Sequence, residues 1–204
     1  MIYLIRHAQS MANVNKRCTS HASIALTEHG IVQAEQLAQQ LPQAHRVFIS
    51  PFLRTFQTAK PLLLRDHLQP EVFKIQEFSY LSDAKCQNTT LEERKPFVDK
   101  YWAYSNPDYQ DAEDAESFTE FYQRVMSFSK ILNGLKDIYQ TQNLMVFSHG
   151  QFLTLLKLIA FQHRALSRNL MREFRDRMLH DPIKNAEFFI YSIGISHENL
   201  YPTS

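Results

Sequence analysis

Glycine is scarce in this chain, with 4 residues in 204. A Walker loop or a dinucleotide-binding turn needs several glycines in a short window, and neither G-x-x-x-x-G-K-[ST] nor G-x-G-x-x-G occurs. Any phosphate handling therefore falls to side chains and helix ends. Cysteine is scarcer still: Cys18 and Cys86 stand alone, which excludes a disulfide framework and a C-x-x-C metal or redox motif. A surplus of one charge is also missing. The 22 basic and 21 acidic side chains leave a net +1, which offers no general attraction to nucleic acid or to an anionic membrane. The most apolar later stretch, residues 152–161, is interrupted by Lys157 and is far too short to cross a bilayer. The opening lacks the charged and apolar regions of a signal peptide. The expectation is a soluble, cytoplasmic protein.

What the chain does contain is alternation. Short apolar runs at residues 1–5, 46–49, 72–75, 144–147 and 187–193 read as strands, and longer helical patterns separate them. "TEHGIVQAEQLAQQL" spaces Ile31, Ala34, Leu37, Ala38 and Leu41 helically, with Thr27 as cap and Leu26 and Ile31 as a hydrophobic staple. "SPFLRTFQTAKPLLL" places Ser50 at a cap and Pro51 at the first helical position. In "SFTEFYQRV", Ser117 and Glu120 form a capping box. Nearly continuous apolar strands alternating with helices predict an α/β fold: a three-layer sandwich with a mostly parallel central sheet and helices on both faces. Residues 78–116 break the rhythm and read as a helical or loop insertion, a lid over the sheet edge, with one helix near 91–104. No linker marks a second domain, so residues 1–204 are expected to form one.

In open α/β sheets, ligands bind beyond the carboxyl ends of the strands. The first strand ends in Arg6 and His7. The second ends at Ser50 and opens a helix whose first turn carries Arg54. Glu77 follows the third, and the fourth, "LMVFSHG", ends in His149 and Gly150. Taken singly, each residue has an ordinary structural explanation. Taken jointly, two guanidinium forks, two imidazoles, a carboxylate and two helix N-termini suit a dianionic phosphoryl group. Metal ligation by the histidines is disfavoured, because H-E-x-x-H is absent and Arg6 would repel a cation. No cofactor is expected.

"LIRHAQSMAN", "SPFLRTFQTA", "QEF", "VFSHG", "ALTEHGIVQA" and "AESFTEFYQRV" resemble the signature segments of the histidine phosphatase superfamily, in its phosphoglycerate mutase-like branch. They occur in that family's order and cover most of the chain. The resemblance implies that His7 is the nucleophile that becomes phosphorylated. It implies that Arg6, Arg54, His149 and Asn13 surround the phosphate, and that Glu77 is the proton donor. Gln151 is a further phosphate-binding candidate through its backbone N–H. Three positions depart from the pattern: Ala8 replaces a glycine, Gln9 replaces a glutamate and removes a charge near the pocket, and "DAEDA" replaces a glycine-rich turn. Its acidic run is expected to favour the dipole of the helix that follows.

The chemistry so implied is metal-independent hydrolysis of a phosphomonoester through a phosphohistidine. His7 must then be neutral to attack, while His149 helps most when protonated. Two other readings share these residues: a phosphoglycerate mutase, and a phospho-ligand-binding regulator without turnover. The sequence leaves the substrate open among sugar phosphates, small metabolite phosphates and phosphoproteins.

Overall fold

The computed structural model describes residues 1–17 and 20–191. Cys18, and Ser192 and Ile193 of the expected fifth strand, lie outside the described residues. Five strands form one sheet: β1 (Ile2–Arg6), β2 (Arg46–Ile49), β3 (Pro70–Val72), β4 (Leu144–Ser148) and β5 (Phe188–Ile190), in the order β3-β2-β4-β1-β5. Only β5 runs antiparallel, against β1. β1 and β4 pair in parallel from Ile2 with Leu144 to Arg6 with Ser148, so His7 and His149 emerge side by side.

Period-two alternation divides the strands between two cores. Ile2, Leu4, Phe48, Leu144 and Val146 face one apolar cluster; Tyr3, Ile5, Val47, Ile49, Met145 and Phe147 face the other. The first face is covered by α5 (Phe118–Ile138), α6 (Gly150–Ala160) and α7 (Arg168–His180), the second by α1 (Glu28–Gln40) and α2 (Leu53–Asp66). The result is the expected three-layer α/β sandwich. α1 leaves β1 toward one face and α6 leaves β4 toward the other, so a crevice opens between adjacent strand ends. Among the described residues no helix is long and apolar enough to cross a membrane.

The chain from 78 to 116 holds α3 (Asp83–Cys86) and α4 (Leu91–Tyr104). Thr90 and Glu93 form a capping box at the start of α4. Tyr101 is fully buried, and with Trp102, Phe78 and Tyr80 it forms an aromatic cluster continuous with the first core.

Several local expectations are corrected. Ile31 is 49% exposed, so it closes no staple; Gly30, Ala34, Leu37 and Ala38 make the inner face of α1 instead. A Cβ on Gly30 would lie 2.0 Å from the Gln9 carbonyl oxygen, and this close approach fixes the rotation of the helix. α2 starts at Leu53 with Phe52 at its cap, two residues later than expected; the Ser50 hydroxyl accepts from Phe52 N at 3.2 Å but also meets His149 and Thr55. The third strand lies at Pro70–Val72 rather than 72–75; after it the chain turns, and Ile75 plugs the core outside the strand ladder. "DAEDA" serves α3 and not α5: Asp114 accepts from Asp83 N at 2.9 Å, and Asp111 accepts from Ser82 N at 3.1 Å and Lys85 Nζ at 2.6 Å.

Candidate active site

β1 delivers Arg6 and His7 to the crevice, α2 delivers Arg54, and the β4–α6 junction delivers His149, Gly150 and Gln151. The loop after β3 delivers Glu77, and the 3₁₀ turn Met11–Val14 delivers Asn13. All of them except His149 line one cavity of about 360 Å³. His149 alone lies too deep to be a wall residue, and its ring meets that of His7 with centroids 5.1 Å apart.

The His7 ring is fixed at both nitrogens. Nδ1 lies 2.7 Å from the Ala8 carbonyl oxygen, a pure acceptor, so Nδ1 carries the proton. Nε2 therefore keeps its lone pair, and it accepts from Arg54 Nε at 3.2 Å. Burial pushes the His7 pKa well down, and the Arg54 and Arg6 charges push the same way. The structure thus presents a neutral imidazole with a free-electron nitrogen aimed at an arginine that would also bind phosphate. Thr58 Oγ1 accepts from Ala8 N at 3.0 Å and donates to the Arg54 carbonyl at 2.7 Å, tying the two segments together. Ala8 does not have a positive φ, so no glycine is required there.

His149 is completely buried; its Nε2 lies 2.7 Å from Ser50 Oγ, and its Nδ1 has no hydrogen-bond partner among the described residues. Desolvation, then Arg54 and His7, hold its pKa well below the usual histidine range. His149 is therefore held toward its neutral form, as His7 is; Glu77 Oε2, at 3.9 Å from Nδ1, is beyond hydrogen-bond reach. Both histidines take up protons in the unfolded chain near pH 6.5 but in the folded chain only well below it. Between those limits the unfolded state binds more protons. Stability from these two sites is therefore complete above about pH 6.5 and is lost as pH falls toward the folded pKa values. Denaturation midpoints measured from pH 7.5 to 5 should fall with acidification, and His149→Gln should flatten that slope; a flat wild-type profile would contradict the assignment.

Glu77 Oε1 accepts from Gln151 N at 2.9 Å, so this backbone N–H is engaged by the carboxylate. Arg6 donates through Nη1 to the Ile183 carbonyl, while its buried Nε has no hydrogen-bond partner among the described residues. Gly150 makes room for this side chain, since a Cβ there would sit 3.2 Å from Arg6 Nε. Asn13 Oδ1 accepts from Ser10 N and Oγ, both at 2.9 Å, and from Asn185 Nδ2 at 3.2 Å. Ser148 Oγ donates to the Ile75 carbonyl at 2.6 Å, which holds the loop that carries Glu77.

Gln9 turns away from this cavity. Its Oε1 accepts from Thr27 Oγ1 at 2.8 Å at the start of α1, so the missing glutamate charge falls at a helix cap. His7, Glu77 and His149 also form a trio whose ligand-type atoms lie within 4.8 Å of one another. Such spacing could hold a metal ion, but Arg6 and Arg54 beside it favour an anion.

Sequence patterns alone did not reveal four supporting residues. Ser50 orients His149; Asn185 joins the His7 carbonyl to Asn13. Arg124 forms a bidentate pair with Glu116 and donates to the Gln76 carbonyl at 2.9 Å, bracing the segment before Glu77. Glu116, immediately before the cap residue of α5, is thus a brace for that segment. The fourth, His21, receives Arg54 Nη1 on its carbonyl at 2.8 Å and separates this cavity from a second one of about 450 Å³. Asp83, Glu113, Asp114 and Glu116 line the second cavity, and their charge would repel a phosphate dianion.

A family model described as the histidine phosphatase superfamily (branch 1) matches residues 2–177. The adenosylcobalamin/alpha-ribazole phosphatase of Salmonella typhimurium is 32% identical over 166 residues, covering 76% of this chain and 76% of that protein. Phosphoserine phosphatase 1 of Hydrogenobacter thermophilus is 28% identical over 153 residues, covering 72% and 70%. The crystal structure of the alpha-ribazole phosphatase from Shigella flexneri superposes with a TM-score of 0.67 at 23% identity, over 92% of this chain and 87% of that one.

Proposed function

Because this chain belongs to the histidine phosphatase superfamily and is a phosphoric monoester hydrolase, we propose that His7 Nε2 is its nucleophile and Glu77 its acid–base group. The observation that carries this assignment is the His7 tautomer: the Ala8 carbonyl holds the proton on Nδ1, and the lone pair on Nε2 faces Arg54. Phosphate oxygens take the place of the Arg54–His7 contact, bound by Arg54, Arg6, Asn13 and His149, and the Gln151 N–H at the head of α6 joins them when Glu77 releases it. Nε2 attacks phosphorus in line as the P–O bond to the leaving group breaks, and Glu77 gives its proton to the departing oxygen. Water then attacks the phosphohistidine, and Glu77 takes up a proton from it. Transfer of this kind depends mainly on positioning and charge, which is the work of the arginines.

The substrate in this reading is a small-molecule phosphomonoester, consistent with a cavity of about 360 Å³ and with the phosphatase names of the relatives. Residues 1–204 act as one catalytic domain in which 78–116 covers the site. The test is turnover of p-nitrophenyl phosphate with EDTA present. Release of inorganic phosphate unaffected by the chelator is expected; activity that disappears with EDTA would reject the metal-independent route, and absence of turnover at any pH would favour a binding role. Transfer of the phosphoryl group to phosphoglycerate faster than to water would instead identify a mutase.

A further inference from the structure

The catalytic cavity holds more positive charge than phosphoryl transfer needs. Arg6 and Arg54 adjoin His7, but a third arginine, Arg94, comes from α4 and lines the same cavity. Its Nε donates to the Thr90 carbonyl at 3.1 Å, while its Nη2 is buried without a hydrogen-bond partner among the described residues. Among the described residues no carboxylate forms an ion pair with it. The neighbouring carboxylate on α4, Glu93, is turned to Arg17 and Thr90 N instead. The cavity wall that Arg94 shares is largely apolar, with Phe78, Leu81, Leu91, Val98 and Met178. Cys86 also lines it; burial pushes that thiol's pKa up, while the charge and hydrogen bonding of Arg94 pull it the other way, and a thiol is only a weak partner for a guanidinium. Glu77 is the only carboxylate among the lining residues, and it is bound to Gln151 N.

A guanidinium with a buried, unpaired N–H in an apolar wall is costly unless a ligand completes it. We infer that Arg94 is a second anion-binding point, and that the substrate is a phosphomonoester whose leaving group carries a further anion, a carboxylate or a second phosphate. This rests on the phosphatase reading above. The phosphoryl group sits at His7, the apolar wall covers the carbon skeleton, and Arg94 takes the distal anion through charge-assisted hydrogen bonds. A neutral or cationic leaving group would leave the guanidinium uncompensated, so the same residue selects against them.

The experiment compares kcat/KM for butyl phosphate, for phosphooxy carboxylates of increasing chain length from phosphoglycolate to 4-phosphooxybutanoate, and for 1,3-propanediol bisphosphate. The wild-type protein should prefer the best anionic substrate over butyl phosphate by about tenfold or more, mostly through KM. The carboxylate and bisphosphate arms distinguish the two anions. Arg94→Met should bring the preference, measured within that variant, close to one, and Arg94→Lys should restore part of it. Arg94→Glu should turn it toward 4-aminobutyl phosphate. A preference absent in the wild type, or unchanged in Arg94→Met, would overturn the inference while leaving the phosphatase reading intact. Failure of the wild type to hydrolyse any of these esters or p-nitrophenyl phosphate would overturn both.

Discussion

Replacing His7 by alanine should lower phosphomonoester turnover by about 10⁴-fold or more, the scale on which removal of a covalent nucleophile acts. The imidazole has no understudy. His149 is the other buried histidine in the site, but its Nε2 is engaged by Ser50 and its ring is placed by β4 rather than β1. The loss should appear in kcat with p-nitrophenyl phosphate, and acid quenching of the wild type during turnover should trap a phosphoenzyme that the variant lacks. Far-UV circular dichroism shows whether the fold survives, which is expected because the backbone of His7 is held by Ser148, Asn185 and Ala186 independently of its ring. Activity within tenfold of wild type would place the nucleophile elsewhere.

Glu77→Gln should separate the two half-reactions. With an alkyl phosphate the departing oxygen needs a proton, and loss of general acid catalysis should cost about 10²- to 10⁴-fold in kcat with no burst. With p-nitrophenyl phosphate the leaving group departs without that proton, so the first step survives. Hydrolysis of the phosphohistidine still lacks its base. The expected trace is therefore a burst of one equivalent of nitrophenol followed by slow turnover. An equal loss on both substrates without a burst would argue that Glu77 only holds Gln151 and the head of α6.

The parts of the fold that were legible in the sequence are those that local chemistry decides. β1, β2 and β4 are runs buried on both faces, and Thr27, Ser117 and the 91–104 helix follow capping and spacing rules. Where tertiary contacts compete, local rules mislead. Ser50 is a good cap residue by composition and its hydroxyl does accept from Phe52 N, but the same hydroxyl also meets His149 across 99 residues of chain, and the helix itself begins two residues later than expected. Ile31 fits the helical stripe, but the close approach of Gly30 to Gln9 turns it outward. α7 is absent from the sequence expectations, although Ser167 caps it and Leu170, Met171 and Phe174 mark its buried face; its many charges mask that stripe. For the site, strand-end logic locates Arg6, His7 and His149, because parallel register alone brings them together. It cannot locate Asn185, Arg124 or His21, whose roles depend on loops folding back from distant positions.

β1 is laddered on both edges, by β4 and by β5, whereas Glu77 lies on a loop outside the ladder, held by a few hydrogen bonds from Ser148, Gln151 and Arg124 and by the buried side chains of Ile75 and Phe78. The two halves of the chemistry therefore sit on supports of unequal stiffness. Displacing the nucleophile requires the sheet itself to open, close to global unfolding; displacing the proton donor requires only that the short loop between Ile75 and Phe78 come loose. On warming, such a protein would become inactive in stages, first slow to release its leaving group and only later unable to accept a phosphoryl group at all.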